Sequence, residues 1–96
     1  MAHLYKASIW QGGSGIWYCG DIEDLGHNSG AWWIPARMLC ITPADYVRLL
    51  VEEFKVSVID FNYNKNYLYF GWRNEADARK YKNWINAKAR KANYYF

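Results

Sequence analysis

An α+β fold built on a small antiparallel sheet is what the 96-residue sequence predicts, on three observations. Thr42-Pro43-Ala44-Asp45 is a helix start followed by an amphipathic stretch. Residues 57–72 alternate so that one hairpin register separates apolar from polar side chains. Residues 75–93 carry a second helical stripe, with bases over the rest of the circumference. With glycine-punctuated strands ahead of them, these give the order β-β-β-α-β-β-α in one domain, residues 1–96, with both helices on one sheet face.

In chain order, Leu4 to Trp10 reads as a strand with Tyr5, Ala7 and Ile9 on one side. Gly12-Gly13-Ser14-Gly15 turns the chain into a second strand, Ile16 to Cys19. A polar loop over 20–30 leads to Ala31-Trp32-Trp33-Ile34, a third β-prone run that Pro35 ends or confines to a sheet edge. Thr42 then caps a helix over 43–54, with Pro43 in its first turn and Asp45 at the positive end. Val47, Leu50, Val51 and Phe54 form its expected core stripe. A hairpin with Asn64-Lys65 as its turn sets 61 against 68, 59 against 70 and 57 against 72; a longer loop over 63–66 is the alternative. Ile59, Phe61, Leu68, Phe70 and Trp72 share one face, and Asp60, Asn62, Tyr67 and Tyr69 the other. Asn74 caps the last helix, whose stripe runs through Ala78, Tyr81, Ile85, Ala89 and Ala92.

Composition excludes several classes. With 52% hydrophobic and 20% aromatic residues, the chain is not a disordered tail. A domain of this size buries roughly 60–65% of its unfolded surface, enough for one modest core. No apolar run reaches the length of a membrane span, and the start lacks the pattern of a signal peptide, so a cytoplasmic location is expected. Cys19 and Cys40 are too few for a disulfide framework; both read as small buried hydrophobes, with one bridge between them left open. Charge is uneven. Residues 79–96 hold six bases and no acid, a net +6, whereas residues 1–78 hold six bases and nine acids, a net −3. That asymmetry points to an anionic partner.

Three constellations are candidate binding sites. Lys80, Lys88 and Lys91 surround Trp84 at helical spacing, so ammonium groups could meet phosphates while the indole stacks on a base; the plain alternative is a Trp at the core margin beside solvated lysines. Tyr67 and Tyr69 on the outer hairpin face could stack bases, in a strand resembling the aromatic strand of an RNA-recognition motif but without its basic-glycine opening. Asp21, Glu23 and Asp24 crowd a loop and could imitate phosphates, or simply be solvated. They do not make a calcium loop, because Leu25 and Trp32 stand where oxygen ligands are needed. The spacings of His3, His27, Cys19 and Cys40 match no zinc pattern, and Gln11 to Gly15 lacks the ending of a phosphate-binding loop. No catalytic residue, metal, cofactor or small-molecule substrate is expected.

The aromatic strand Tyr67 to Trp72, followed by Asn74-Glu75, Asp77-Ala78, Tyr81-Lys82 and Trp84, resembles the closing segment of small proteins from tailed-phage genomes. In its size, aromatic content and lack of catalytic motifs, the chain resembles phage-encoded inhibitors of host defence such as anti-CRISPR proteins. The resemblance implies a non-enzymatic inhibitor that occupies the surface of a host protein or ribonucleoprotein complex. It assigns no site residue. The alternative expectation is a small RNA or single-stranded DNA binding module that uses the basic helix and exposed aromatics.

Overall fold

A computed structural model describes residues 5–21, 33–62 and 67–92. The elements are β1 (Ala7–Gln11), β2 (Trp17–Asp21), α1 (Trp33–Leu39), α2 (Pro43–Glu52), β3 (Val58–Asn62), β4 (Tyr67–Trp72) and α3 (Glu75–Lys91). The four strands form one antiparallel sheet in the order β1-β2-β4-β3. The α+β class therefore holds, with one element changed. Of the segment expected as a third strand, 31–34, residues 33 and 34 instead begin α1, and 31 and 32 lie outside the described residues.

Pro35 is the reason the strand reading fails. It is the third residue of α1, within the first turn, where a backbone N–H has no intrahelical partner to lose. Ile34, Ala36 and Met38 are buried by this short helix. It ends at Cys40, which is left-handed (φ +58). There the Cys40 N–H donates to the Arg37 carbonyl (3.1 Å) and the Ile41 N–H to that of Ala36 (3.0 Å), the paired closure common at helix ends. Cys40 is exposed and only Cys19 is buried; both thiols are free. The reading of two buried cysteines, or of a bridge between them, is corrected accordingly.

Helix α2 begins as expected: the Asp45 N–H donates to Thr42 Oγ1 (3.1 Å) and Pro43 occupies the first turn. Its buried face is rotated from the expected stripe. Tyr46 and Leu50 are buried, Leu49 and Phe54 pack at the core margin, and Val51 is 47% exposed. Apolar residues occupy two faces of this helix, and the hydrogen bond between the Tyr46 and Tyr81 hydroxyls (2.6 Å) lets a phenol take the inner one.

The β3–β4 register is the expected one, with Ile59 opposite Phe70 and Phe61 opposite Leu68. Its turn, 63–66, lies outside the described residues. Phe70 and Trp72 face the helices, with ring centroids 5.8 and 5.4 Å from that of Tyr81 on α3. Trp72 is fully buried and its indole N–H donates to the Phe54 carbonyl (2.7 Å). Gly71 allows β2 to approach β4: a Cβ there would lie 2.6 Å from Ile16 Cγ2 and 2.9 Å from the Trp17 carbonyl oxygen. Helix α3 crosses this same face, burying Ala78, Tyr81, Ile85 and Ala89.

Candidate functional site

Helix α3 carries most of the basic charge, and its sequence explains how. Asn74 caps it through a bond from the Ala76 N–H (2.8 Å), Glu75 and Asp77 lie in the first turn, and Lys88, Arg90 and Lys91 lie in the last. Each charge sits at the end of the helix dipole that favours it. Glu75 is engaged locally by Arg79 at 2.5 Å, so the acids stay at the N-terminal end. From Lys80 onward the helix has no acid.

The buried stripe divides α3 into two flanks. On one, Trp84 is half-buried against Phe54 and Tyr81, with ring centroids at 4.9 and 6.0 Å. Lys88 Nζ lies 5.7 Å from the indole centroid, a cation–π contact. Leu39, Ile41 and Leu49 from α1, α2 and the turn between them, with Asp45 of α2, complete a shallow groove of about 300 Å³ beside Trp84 and Lys88. Lys88 and Lys91 also line a depression next to Met38 and Leu39. Lys80 is exposed and lines neither. Of the expected stripe, the structure thus joins Trp84, Lys88 and Lys91 to the edge of α1. Trp84 is at once a core-margin residue and the floor beneath a lysine.

The other flank faces β1. Asn86 presents its amide to that edge strand: the Ala7 N–H donates to Asn86 Oδ1 (2.7 Å), and Asn86 Nδ2 donates to the Ala7 carbonyl (3.0 Å). The side chain takes the place of a neighbouring strand. Around it lies a cleft of about 500 Å³ whose lining among the described residues includes Lys6, Ser8, Lys82, Asn83 and Arg90. Lys82 is half-buried, and no described carboxylate forms an ion pair with it. Burial pushes the Cys19 thiol up from its ordinary value, with the Lys82 charge opposing that shift. Sequence reasoning counted Lys82 and Arg90 in the charge total and missed the cleft. Lys82, Asn86 and Arg90 at four-residue spacing were the readable signal; Lys6 joins them only through the tertiary fold.

Comparison with protein-family models, curated proteins and solved structures gives no match to this chain.

The remaining candidates lie apart from α3. Tyr69 is on the outer sheet face, half-buried, with its hydroxyl bonded to that of Tyr18 and ring centroids 4.8 Å apart. Tyr18, 6% exposed, is flanked in turn by Trp10 at 5.9 Å. These rings pack on one another and stand on the opposite side of the sheet from α3. The backbone of Tyr67 pairs with Asn62, and Asp21 pairs with Ala7 at the end of β2; Glu23 and Asp24, with His3 and His27, lie outside the described residues. Among the described residues, no three of His, Cys, Asp or Glu converge as a metal site, and no helix is long and apolar enough to cross a membrane.

Proposed function

We propose that this chain is a non-enzymatic binding protein, an inhibitor of the anti-CRISPR kind, that acts in the host cytosol by laying α3 on the surface of a ribonucleoprotein complex. The observation that carries this reading is the charge of α3. Lys80, Lys82, Lys88, Arg90 and Lys91 stand on its accessible surface with no acid among them, on a body that is otherwise net acidic. A guide RNA and the proteins that present it offer a matching negative surface. The aromatic content supports the reading less than composition implies, because Tyr46, Phe70, Trp72 and Tyr81 are spent on the core. A direct RNA or single-stranded DNA module using both the basic helix and Tyr69 would need its strand to pass around the sheet, since the two lie on opposite faces.

The test is inhibition of target-DNA cleavage by purified, guide-loaded CRISPR effector complexes. Wild-type protein should inhibit at least one of them. Lys80→Glu, Lys88→Glu and Lys91→Glu together, folded by circular dichroism, should inhibit about 100-fold less well. Equal inhibition by the two proteins, or none by the wild type across the effector types, rejects the reading.

A further inference from the structure

We infer that the groove between α1, α2 and the Trp84 flank of α3 is a docking site for an acidic amphipathic helix of a partner protein. Apolar side chains of that helix enter the groove, and its carboxylates meet Lys88 and Lys91. The inference rests on the reading of α3 as the contact surface and names the chemistry of the segment it meets.

Four observations support it. The first is the wall. Leu39, Ile41, Leu49 and Trp84 are large apolar side chains, each half-buried, brought together from α1, the turn after it, α2 and α3. Each keeps apolar surface that an incoming side chain would cover. Second, cations stand at one end of that wall. Lys88 lies over the Trp84 indole, and Leu39 and Lys88 line both the groove and the neighbouring depression that holds Met38 and Lys91. Both lysines are exposed, and no described carboxylate pairs with either. Third, the acid on the groove is already engaged. Asp45 pairs with Arg48 of its own helix at 2.8 Å, so it does not answer Lys88 from α2. An apolar hollow with a basic end is complementary to a segment that is both apolar and acidic.

The fourth is the backbone the occupant must have. The described lining comes from helices and the turn between two of them, so it presents side chains and no strand edge. A segment docked there cannot complete its backbone hydrogen bonds by joining a sheet. A helix completes its own, and sets residues i and i+4 on one side with acids beside them. About 300 Å³ takes anchoring side chains and leaves the helix itself on the surface. The walls are also held before binding. The Tyr46–Tyr81 hydroxyl bond ties α2 to α3, and the paired closure at Cys40 fixes the turn that carries Leu39 and Ile41.

Selection of random peptides of about 16 residues, roughly four helical turns, displayed on yeast and captured by the wild type, tests this. Recovered peptides should carry large apolar residues at i and i+4 with Asp or Glu beside them. Synthetic copies should bind the wild type about tenfold or more tightly than they bind Lys88→Glu with Lys91→Glu. Leu49→Asp should weaken them by a similar factor. In the wild type, amide shifts followed by NMR should move at Ile41, Leu49, Trp84 and Lys88, and stay in place at Tyr18 and Tyr69 on the opposite sheet face. Three results overturn the assignment. One is a selection that yields no peptides, or peptides that bind the double Glu variant equally well. Another is the same shifts on concentrating the protein alone, with a doubled mass in sedimentation, which makes the occupant a second copy. The third is an oligouridine that moves Ile41 and Leu49 as the peptides do, which makes the groove a nucleic-acid surface. The cleavage assay judges the proposed function separately. Inhibition that the Lys80, Lys88, Lys91 triple Glu variant loses, with no peptide bound, rejects the groove and keeps α3 as the contact surface.

Discussion

The two flanks of α3 carry similar charge and different chemistry. On the Trp84 flank the lysines stand over apolar surface: Lys88 caps an indole that itself packs on Phe54 and Tyr81. On the β1 flank they stand among amides and a backbone edge. Position relative to the buried stripe produces the difference. Trp84 falls next to Tyr81 and closes the core toward α1 and α2, where an aromatic ring contributes burial. Asn86 falls next to Ile85 toward the edge of β1, where an exposed strand needs its N–H and C=O groups covered. One flank therefore closes the core toward α1 and α2, and the other covers an edge strand. A count of lysines alone cannot tell them apart.

The largest expected effect comes from the stripe that separates the flanks. Tyr81 and Tyr46 share a buried hydroxyl–hydroxyl bond, and burial pushes both phenols well above their ordinary value of 10.0. Burial likewise raises the Cys19 thiol above its ordinary 9.0. Each folded-state value lies above the unfolded one, so the stabilisation is fully present below pH 9 and is lost as pH rises, when only the unfolded chain ionises. Above pH 10 each group costs about 1.4 kcal/mol per further pH unit, so stability should fall by several kcal/mol by pH 11. Urea midpoints at pH 8, 10 and 11 measure it. Tyr46→Phe with Tyr81→Phe should flatten the fall, and an unchanged midpoint through pH 11 would show the stripe is wet and the flanks continuous.

Next in size is Trp84→Ala. Removing a half-buried indole from between Phe54, Tyr81 and Lys88 should cost about 2–4 kcal/mol, below the cost of a fully enclosed Trp. A thermal melt reads this directly, and a change under 1 kcal/mol would mean this flank serves binding alone. On the other side, Asn86→Ala removes two hydrogen bonds from β1 and should cost about 1–3 kcal/mol, toward the lower end because water reaches the edge. Hydrogen exchange at the Ala7 amide should accelerate in that variant. If it does not, β1 is held by β2 alone and the cleft has no fixed floor.

Local signals were read well, because their physics is local. The Thr42 and Asn74 caps, Pro43 in the first turn and the Phe61–Leu68 register each depend on residues a few positions apart. Where a second element chose between two readings, sequence was not enough. Ala31 to Ile34 reads as a strand that Pro35 ends, and only the place of Pro35 in the first turn reconciles Trp33 and Ile34 with α1. On α2, Leu50 is buried as expected, but Val47 and Val51 compete with Tyr46 for the core beside it, and the hydroxyl of Tyr81 on α3 decides. Of the candidate sites, Trp84 and Lys88 were legible at i and i+4. The cleft was not, since Lys6 reaches Lys82 only when the N-terminal strand docks on the C-terminal helix.

The smallest effect discriminates the flanks most sharply. Lys88→Met keeps the stem over Trp84 and loses only the cation–π attraction, worth about 0.5–1 kcal/mol at an exposed site. Lys82→Met also keeps its stem, but it removes a half-buried charge that no described carboxylate pairs with. Replacing such a charge with an apolar group of similar length is neutral or stabilising. The expected outcome is a reversal of sign. Lys88→Met should lower the urea midpoint slightly, whereas Lys82→Met should leave it unchanged or raise it by a few tenths of a kcal/mol. Should Lys82→Met instead destabilise as much as Lys88→Met, Lys82 belongs to the architecture and the two flanks differ only in shape.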